Sequence, residues 1–215
     1  MLRGIMKRHC FVLITALGCL VVGRGFPQAN SSPAAIVGIQ GAVYLDGKQV
    51  TIESGRYRDI EERSLVQTYE KPADVLLALG ATLHLADNSG FRLLSRSEGN
   101  AHIQVVAGSA SVVMEEGSAS AKLLDHHVAG KLIVDCEDTV KLASSGKYHF
   151  RVFRLSRDST SSFCEFKVYD GAATVQLLTV APVLMPHEMM VLSKACGDHV
   201  QIDKFDGDDR HLSNR

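Results

Sequence analysis

Three short strings in this chain set metal-binding or proton-handling side chains next to one another. Asp125-His126-His127 puts a carboxylate beside two imidazoles, a donor set able to hold a divalent metal ion that activates water. Met185-Pro186-His187-Glu188-Met189-Met190 mixes thioethers with an imidazole, and such soft donors suit Cu(I). Asp203, Asp206, Asp208 and Asp209 gather oxygen donors near the C-terminus, which is the raw material of a calcium loop. A fourth string, Ser145-Gly146-Lys147-Tyr148, ends like a phosphate-binding loop.

Each string lacks something its chemistry requires. Asp125-His126-His127 resembles the letter pattern of the DHH phosphoesterases, whose manganese centre also implies separate aspartate motifs on an alternating strand–helix scaffold, and no such alternation surrounds His126 and His127. Met185, His187 and Met189 fall at alternate positions, so on a strand they share one face, where methionine ordinarily fills a core. Phe205 and Gly207 break the ligand spacing of a calcium loop, which leaves the aspartates as a solvated acidic tail. The phosphate-loop string lacks its first glycine and the hydroxyl after the lysine. No G-x-S-x-G occurs, so the strained nucleophile turn of the α/β hydrolases is absent. A Ser-His-Asp set drawn from distant residues is compatible with nine histidines, but no string points to one.

The elements that would carry these residues are short apolar alternations cut by glycine turns. Gly41-Ala42-Val43-Tyr44-Leu45 leads into Asp46-Gly47, a two-residue hairpin signal, and resumes at Val50-Thr51-Ile52. Leu83 and Leu85 alternate before Asp87-Asn88-Ser89-Gly90, and Phe91 and Leu93 after it. The same grammar repeats at Ala107-Gly108, Ala129-Gly130, Ser145-Gly146 and Asp170-Gly171. Between residues 61 and 78 a turn of helix competes with Pro72 and a Val-Leu-Leu run, and both disfavour it. The expected fold is all-β, with short antiparallel strands in a sandwich or a compact solenoid-like stack and little helix beyond the leader.

The leader is the first thirty residues. Arg3, Lys7 and Arg8 precede an apolar run over residues 10–22, then small and polar residues through Asn30. That is the layout of a secretory signal peptide. Thirteen helical residues reach about 20 Å, short of the roughly 30 Å hydrocarbon core of a bilayer. Cys19 follows Ala16-Leu17-Gly18, but the apolar run continues past it, so a removed leader is preferred over a lipid anchor at Cys19. Export would leave Cys136, Cys164 and Cys196, an odd number that permits one disulfide. No C-x-x-C is present, and separate buried thiols are the preferred reading. A formal net charge of −1 without a basic stripe argues against a nucleic-acid partner.

Several of these segments together resemble the FecR-like domain. Residues 73–89, with Gly80, an apolar pair and Asp87-Asn88-Ser89, resemble its strand–Gly–strand–turn pattern. Val105-Val106-Ala107-Gly108-Ser109-Ala110, Ser145-Gly146-Lys147-Tyr148-His149-Phe150 and Val168-Tyr169-Asp170-Gly171-Ala172-Ala173-Thr174-Val175 look like its later elements. Lys204-Phe205-Asp206, with Asp209 and Arg215, is similar to the tail of envelope-associated members, although the tryptophan that often follows there is missing. The likeness spans most of residues 36–215, through turn and core positions. It implies a domain over residues 30–200 behind a leader at 1–29, with a polar tail at 201–215. Members that signal across the membrane carry an anti-sigma region ahead of a membrane helix. Only about nine residues precede the apolar run here, too few to fold, so that role is not expected to carry over.

The expected function is a non-catalytic, periplasmic or secreted binding or scaffolding module for a protein or envelope component. It would have no catalytic, cofactor or metal residues and no transmembrane span in the mature chain. The rival expectation is an exported metal protein or hydrolase using His126/His127 or Met185/His187/Met189.

Overall fold

The structure is a computed structural model that describes residues 34–39, 42–50, 52, 58–77, 80–97, 100–114, 131–154, 161–193 and 201–206. All of these lie in the unit Ser31–Arg215. Among the described residues fifteen strands run in chain order: β1 Ala35–Ile39, β2 Val43–Leu45, β3 Lys48–Val50, β4 Arg58–Asp59, β5 Leu65–Thr68, β6 Ala73–Leu76, β7 Ala81–Leu85, β8 Gly90–Ser97, β9 Asn100–Met114, β10 Lys131–Cys136, β11 Asp138–Phe153, β12 Phe163–Gln176, β13 Val183–Leu184, β14 Glu188–Leu192 and β15 Ile202–Lys204. The all-β expectation holds. No helix among the described residues is long and apolar enough to cross a membrane.

Three strands are far longer than the alternations suggest, because β9, β11 and β12 each serve two sheets. Their first and second halves pair with different neighbours, which sorts the ladders into two groups. In the first sheet the order is β3-β2-β5-β8-β9-β10-β11-β12-β13, built from the start of β9 and β11 and the end of β12. In the second it is β4-β1-β6-β7-β9-β11-β12-β14-β15, built from their other halves. Strands that bend from one sheet into the other make the corners of a sandwich.

The bends fall at Gly108, Gly146 and Gly171, where φ is 69°, 148° and 84°. The sequence suggests that each of these glycines ends a strand, and the structure corrects that. Each lies inside one continuous strand, and the ladder of β11 with β12 shifts register between Leu142 and Gly146. Asp87-Asn88-Ser89 is likewise a crossing between sheets, since β7 pairs with β6 and β9 whereas β8 pairs with β5 and β9. Asp46-Gly47 is the tight hairpin turn its dipeptide predicts. Both residues have positive φ, and Leu45 faces Lys48 across the turn. Among the described residues pairing is antiparallel with one exception: β10 runs parallel to β9, from Lys131 opposite Asn100 to Asp135 opposite Gln104.

The two sheets bury one continuous core that includes Leu83, Phe91, Ile103, Val112, Val134, Tyr148, Phe150 and Phe166. Phe150 stacks on Phe166 with ring centroids 4.8 Å apart. Cys136, at the end of β10 in the first sheet, is bonded to Cys164, near the start of β12 in the second. This corrects the expectation of separate buried thiols. Both side chains point into the core at one end of the sandwich, their Cα atoms are 5.7 Å apart, and each is fully buried. Cys196 lies outside the described residues, as does residue range 1–33 with Cys19.

Candidate functional site

The two sheets present different outward faces. On the second sheet the registers place seven residues in one rung across adjacent strands. In order they are Asp74, His84, Ser111, His149, Lys167, Met189 and Asp203. On the inner strands their neighbours, among them Leu83, Leu85, Val112, Phe150, Phe166, Val168 and Met190, are buried. Period-two alternation therefore sends the whole rung to the outside. Asp74 Oδ1 lies 2.7 Å from His84 Nδ1, and both side chains are 46% exposed. Ser111 Oγ lies 2.9 Å from His149 Nδ1. One rung along, Glu165 pairs with Lys167 at 3.4 Å, and Arg151 stands exposed opposite Glu165.

Asp74, His84 and Ser111 follow one another in the order of an acid–base–nucleophile relay. Two features separate this rung from one. The Ser111 hydroxyl is shared with His149 rather than with His84. Ser111 also sits mid-strand, with β7 on one side and β11 on the other, so its backbone lies within the ladder. An oxyanion hole needs convergent N–H groups aimed at open space. The rung offers a row of donors, acceptors and mixed charge along one sheet face.

The first sheet instead carries a cleft of about 390 Å³ whose polar lining includes Gln104, Asp135, Glu137, Thr139, Ser162 and Gln176. Thr139 Oγ1 donates to Asp135 Oδ1 at 2.9 Å, and Ser162 Oγ donates to Glu137 Oε1. His102 Nε2 approaches Asp135 Oδ2 at 3.0 Å but is not aligned for a hydrogen bond. Glu137 alone turns the chain from β10 into β11, at φ 65° beside Cys136. Its carboxylate thus helps fix the end of the sandwich that the disulfide closes.

The strings singled out from the sequence fare differently. Asp125, His126 and His127 lie outside the described residues, as do Asp208 and Asp209. Met185 and His187 do not share a strand face with Met189. They precede β14 and are exposed, with His187 at φ 66°. Met189 points outward opposite Lys167, and it is Met190 that is buried. On β14 the buried positions are Met190 and Leu192, one residue off the expected alternation, and Met185 and His187 lie ahead of the strand. His187 packs near Phe205, which also meets Tyr169 edge-on at 5.0 Å and lies 5.5 Å from Lys167 Nζ. The segment expected to be a tail thus opens with β15 and an anchored ring. Among the described residues no group of three or more His, Cys, Asp or Glu is placed to hold a metal ion.

Sequence reasoning passed over Asp74, His84, Ser111 and His149. Each occupies an outward position of an alternating strand, as in Leu83-His84-Leu85 and Tyr148-His149-Phe150. That parity was legible, but which strands lie side by side was not.

No family model matches the chain, and no curated protein matches it. Among solved structures it is similar to two crystal structures of a protein assigned as an anti-sigma factor from Parabacteroides distasonis. Both matches have 14% identity over 66% of this chain, with TM-scores of 0.50 and 0.49. The matched region spans only 60% and 59% of those chains. At this identity the likeness is one of fold: the bent-strand sandwich is related to that of an assigned anti-sigma factor.

Proposed function

We propose that this chain is an exported, non-catalytic β-domain of the FecR-like kind that acts as a binding or scaffolding module in the bacterial cell envelope. The observation that carries this reading is the fold shared with the assigned anti-sigma factor. The buried Cys136–Cys164 bond fits an oxidising compartment, as does the signal-like layout of residues 1–29. Recognition would use the polar outer face of the second sheet, where rigid strands hold the rung from Asp74 to Asp203 and the adjoining Arg151 and Glu165. A face of this kind gives orientation and specificity through paired charges and hydrogen bonds.

The test is made in an exporting bacterium. Intact mass should show loss of the leader, no lipid and the mass deficit of one disulfide. A photoactivatable side chain at Arg151 should then give envelope adducts that the same group at Gln49, on β3 of the other sheet, does not. A chain retained in the cytoplasm with reduced cysteines, or equal adducts from both positions, would refute the reading.

A further inference from the structure

The segment joining β12 to β14 differs from the rest of the described surface. Residues 177–186 carry no charged side chain and a single hydroxyl, that of Thr179. Leu184 is fully buried and Leu177 packs against the core, and the two fasten the segment to the sandwich. Between and beyond them Leu178 is 92% exposed, Val180 47%, Val183 52% and Met185 53%. A single exposed leucine is ordinary, but several exposed apolar side chains on one uncharged segment mark an interaction site.

Backbone and shape narrow what that partner is. The hairpin closes on itself, with Leu177 N donating to Val180 O and Val175 N donating to Pro182 O, both at 3.0 Å. Pro182 and Pro186 have no N–H to lose to a dry phase. They also bracket β13, a strand of two residues, so this edge offers no continuous ladder to an incoming strand. Strand addition, by a second copy or another protein, is therefore disfavoured. A convex tip without charge and with its turn internally bonded suits a medium that moulds to it and supplies no hydrogen bonds. That medium is lipid.

We propose that the hairpin of residues 177–186 inserts, Leu178 leading, into the interfacial layer of a lipid bilayer and seats the domain on a membrane surface. This stands independently of the protein-binding face on the second sheet. Because the tip is uncharged, insertion needs no anionic lipid and depends weakly on salt.

The full chain contains no tryptophan, so Leu178→Trp gives a local optical probe, with Lys48→Trp in the β2–β3 hairpin as its comparator. With phosphatidylcholine vesicles, the emission of Leu178→Trp should shift to the blue and be quenched by brominated acyl chains. Lys48→Trp should remain open to aqueous iodide. In vesicle sedimentation, Leu178→Asp with Val180→Asp should weaken partitioning about tenfold or more, with an unchanged urea midpoint and little response to added salt. Three results would overturn the proposal. One is an unshifted Leu178→Trp on vesicles. Another is an equal shift at both positions. The third is a concentration-dependent shift without lipid, which would make a second copy the occupant.

Discussion

Asp46-Gly47 and Asp170-Gly171 are the same dipeptide in two mechanical settings. At the first the chain reverses in the open. Gly47 has φ 77°, and a Cβ built on it would have nothing within 4 Å. At the second the chain continues as β12 and changes sheet. Gly171 has φ 84°, and a Cβ there would strike Ser145 O, with Tyr148 Oη at 2.6 Å and Gly146 Cα at 3.0 Å. A turn glycine supplies only backbone freedom, whereas a corner glycine also makes room for a second corner packed against it. Gly146, with Asp170 O and Tyr148 Oη each 2.5 Å from its would-be Cβ, is that second corner. At this corner the two sheets are joined by a packed knot of two bent strands around one phenol.

Substituting both glycines is the sharpest way to break the comparison. Gly171→Ala incurs a left-handed backbone cost of about 1–2 kcal/mol and a steric displacement of about 1–3 kcal/mol. A combined loss of about 2–5 kcal/mol is expected. Gly47→Ala incurs the first cost alone, about 1 kcal/mol. Urea unfolding of the two variants measures the gap, and equal losses would mean that the corner relaxes as freely as the turn.

The disulfide tests the far end of the same sandwich. Cys136–Cys164 closes a loop with a sequence separation of 28 and ties together two strands that share no ladder. Chain entropy puts its removal at roughly 3.5 kcal/mol for a loop of that length. Replacing both cysteines by alanine should lower the urea midpoint accordingly, and added reductant should then have no further effect. If the double variant unfolds like the parent, Ser162, Glu137 and the surrounding core hold that end without the bond.

Residue parity and turn composition made the all-β class readable, because alternations such as Leu83-His84-Leu85 and Cys164-Glu165-Phe166-Lys167-Val168 have a period of two wherever they are read. They could not tell a turn from a corner. Gly108, Gly146 and Gly171 break the alternation as Gly47 does, and the difference lies in distant atoms such as Ser145 O and Asn88 O. The rung from Asp74 to Asp203 was hidden for the same reason. Its members are up to 129 positions apart in sequence, and only the order of strands in the sheet aligns them. Cys136 and Cys164 were visible as thiols, but their pairing depended on two strands reaching one end of the core from different sheets. The apolar string at residues 177–186 was also visible. Its exposure was not, since the same letters would serve a buried strand equally well.

The hydroxyl of Tyr148 offers the finest division of the corner's stability. The ring is buried, and Oη lies 3.0 Å from both Ser145 O and Ala172 O. Those two carbonyls fall where the β11–β12 ladder jumps from Leu142 opposite Ala173 to Gly146 opposite Gly171. The phenol thus supplies a donor where the register break interrupts the ladder, and with one proton it serves the two acceptors by sharing. Tyr148→Phe keeps the ring and its stacking with Phe166 and removes only that donor. The expected loss is about 1–2 kcal/mol, the cost of leaving a buried carbonyl under-satisfied. The same change should soften Gly171→Ala by relieving one of its two main clashes while the one with Ser145 O remains. A double-mutant cycle in urea should therefore find the pair less damaging than the sum of the singles. Strict additivity would separate the phenol from the corner and leave Gly146 and Gly171 to hold the bend through their backbones alone.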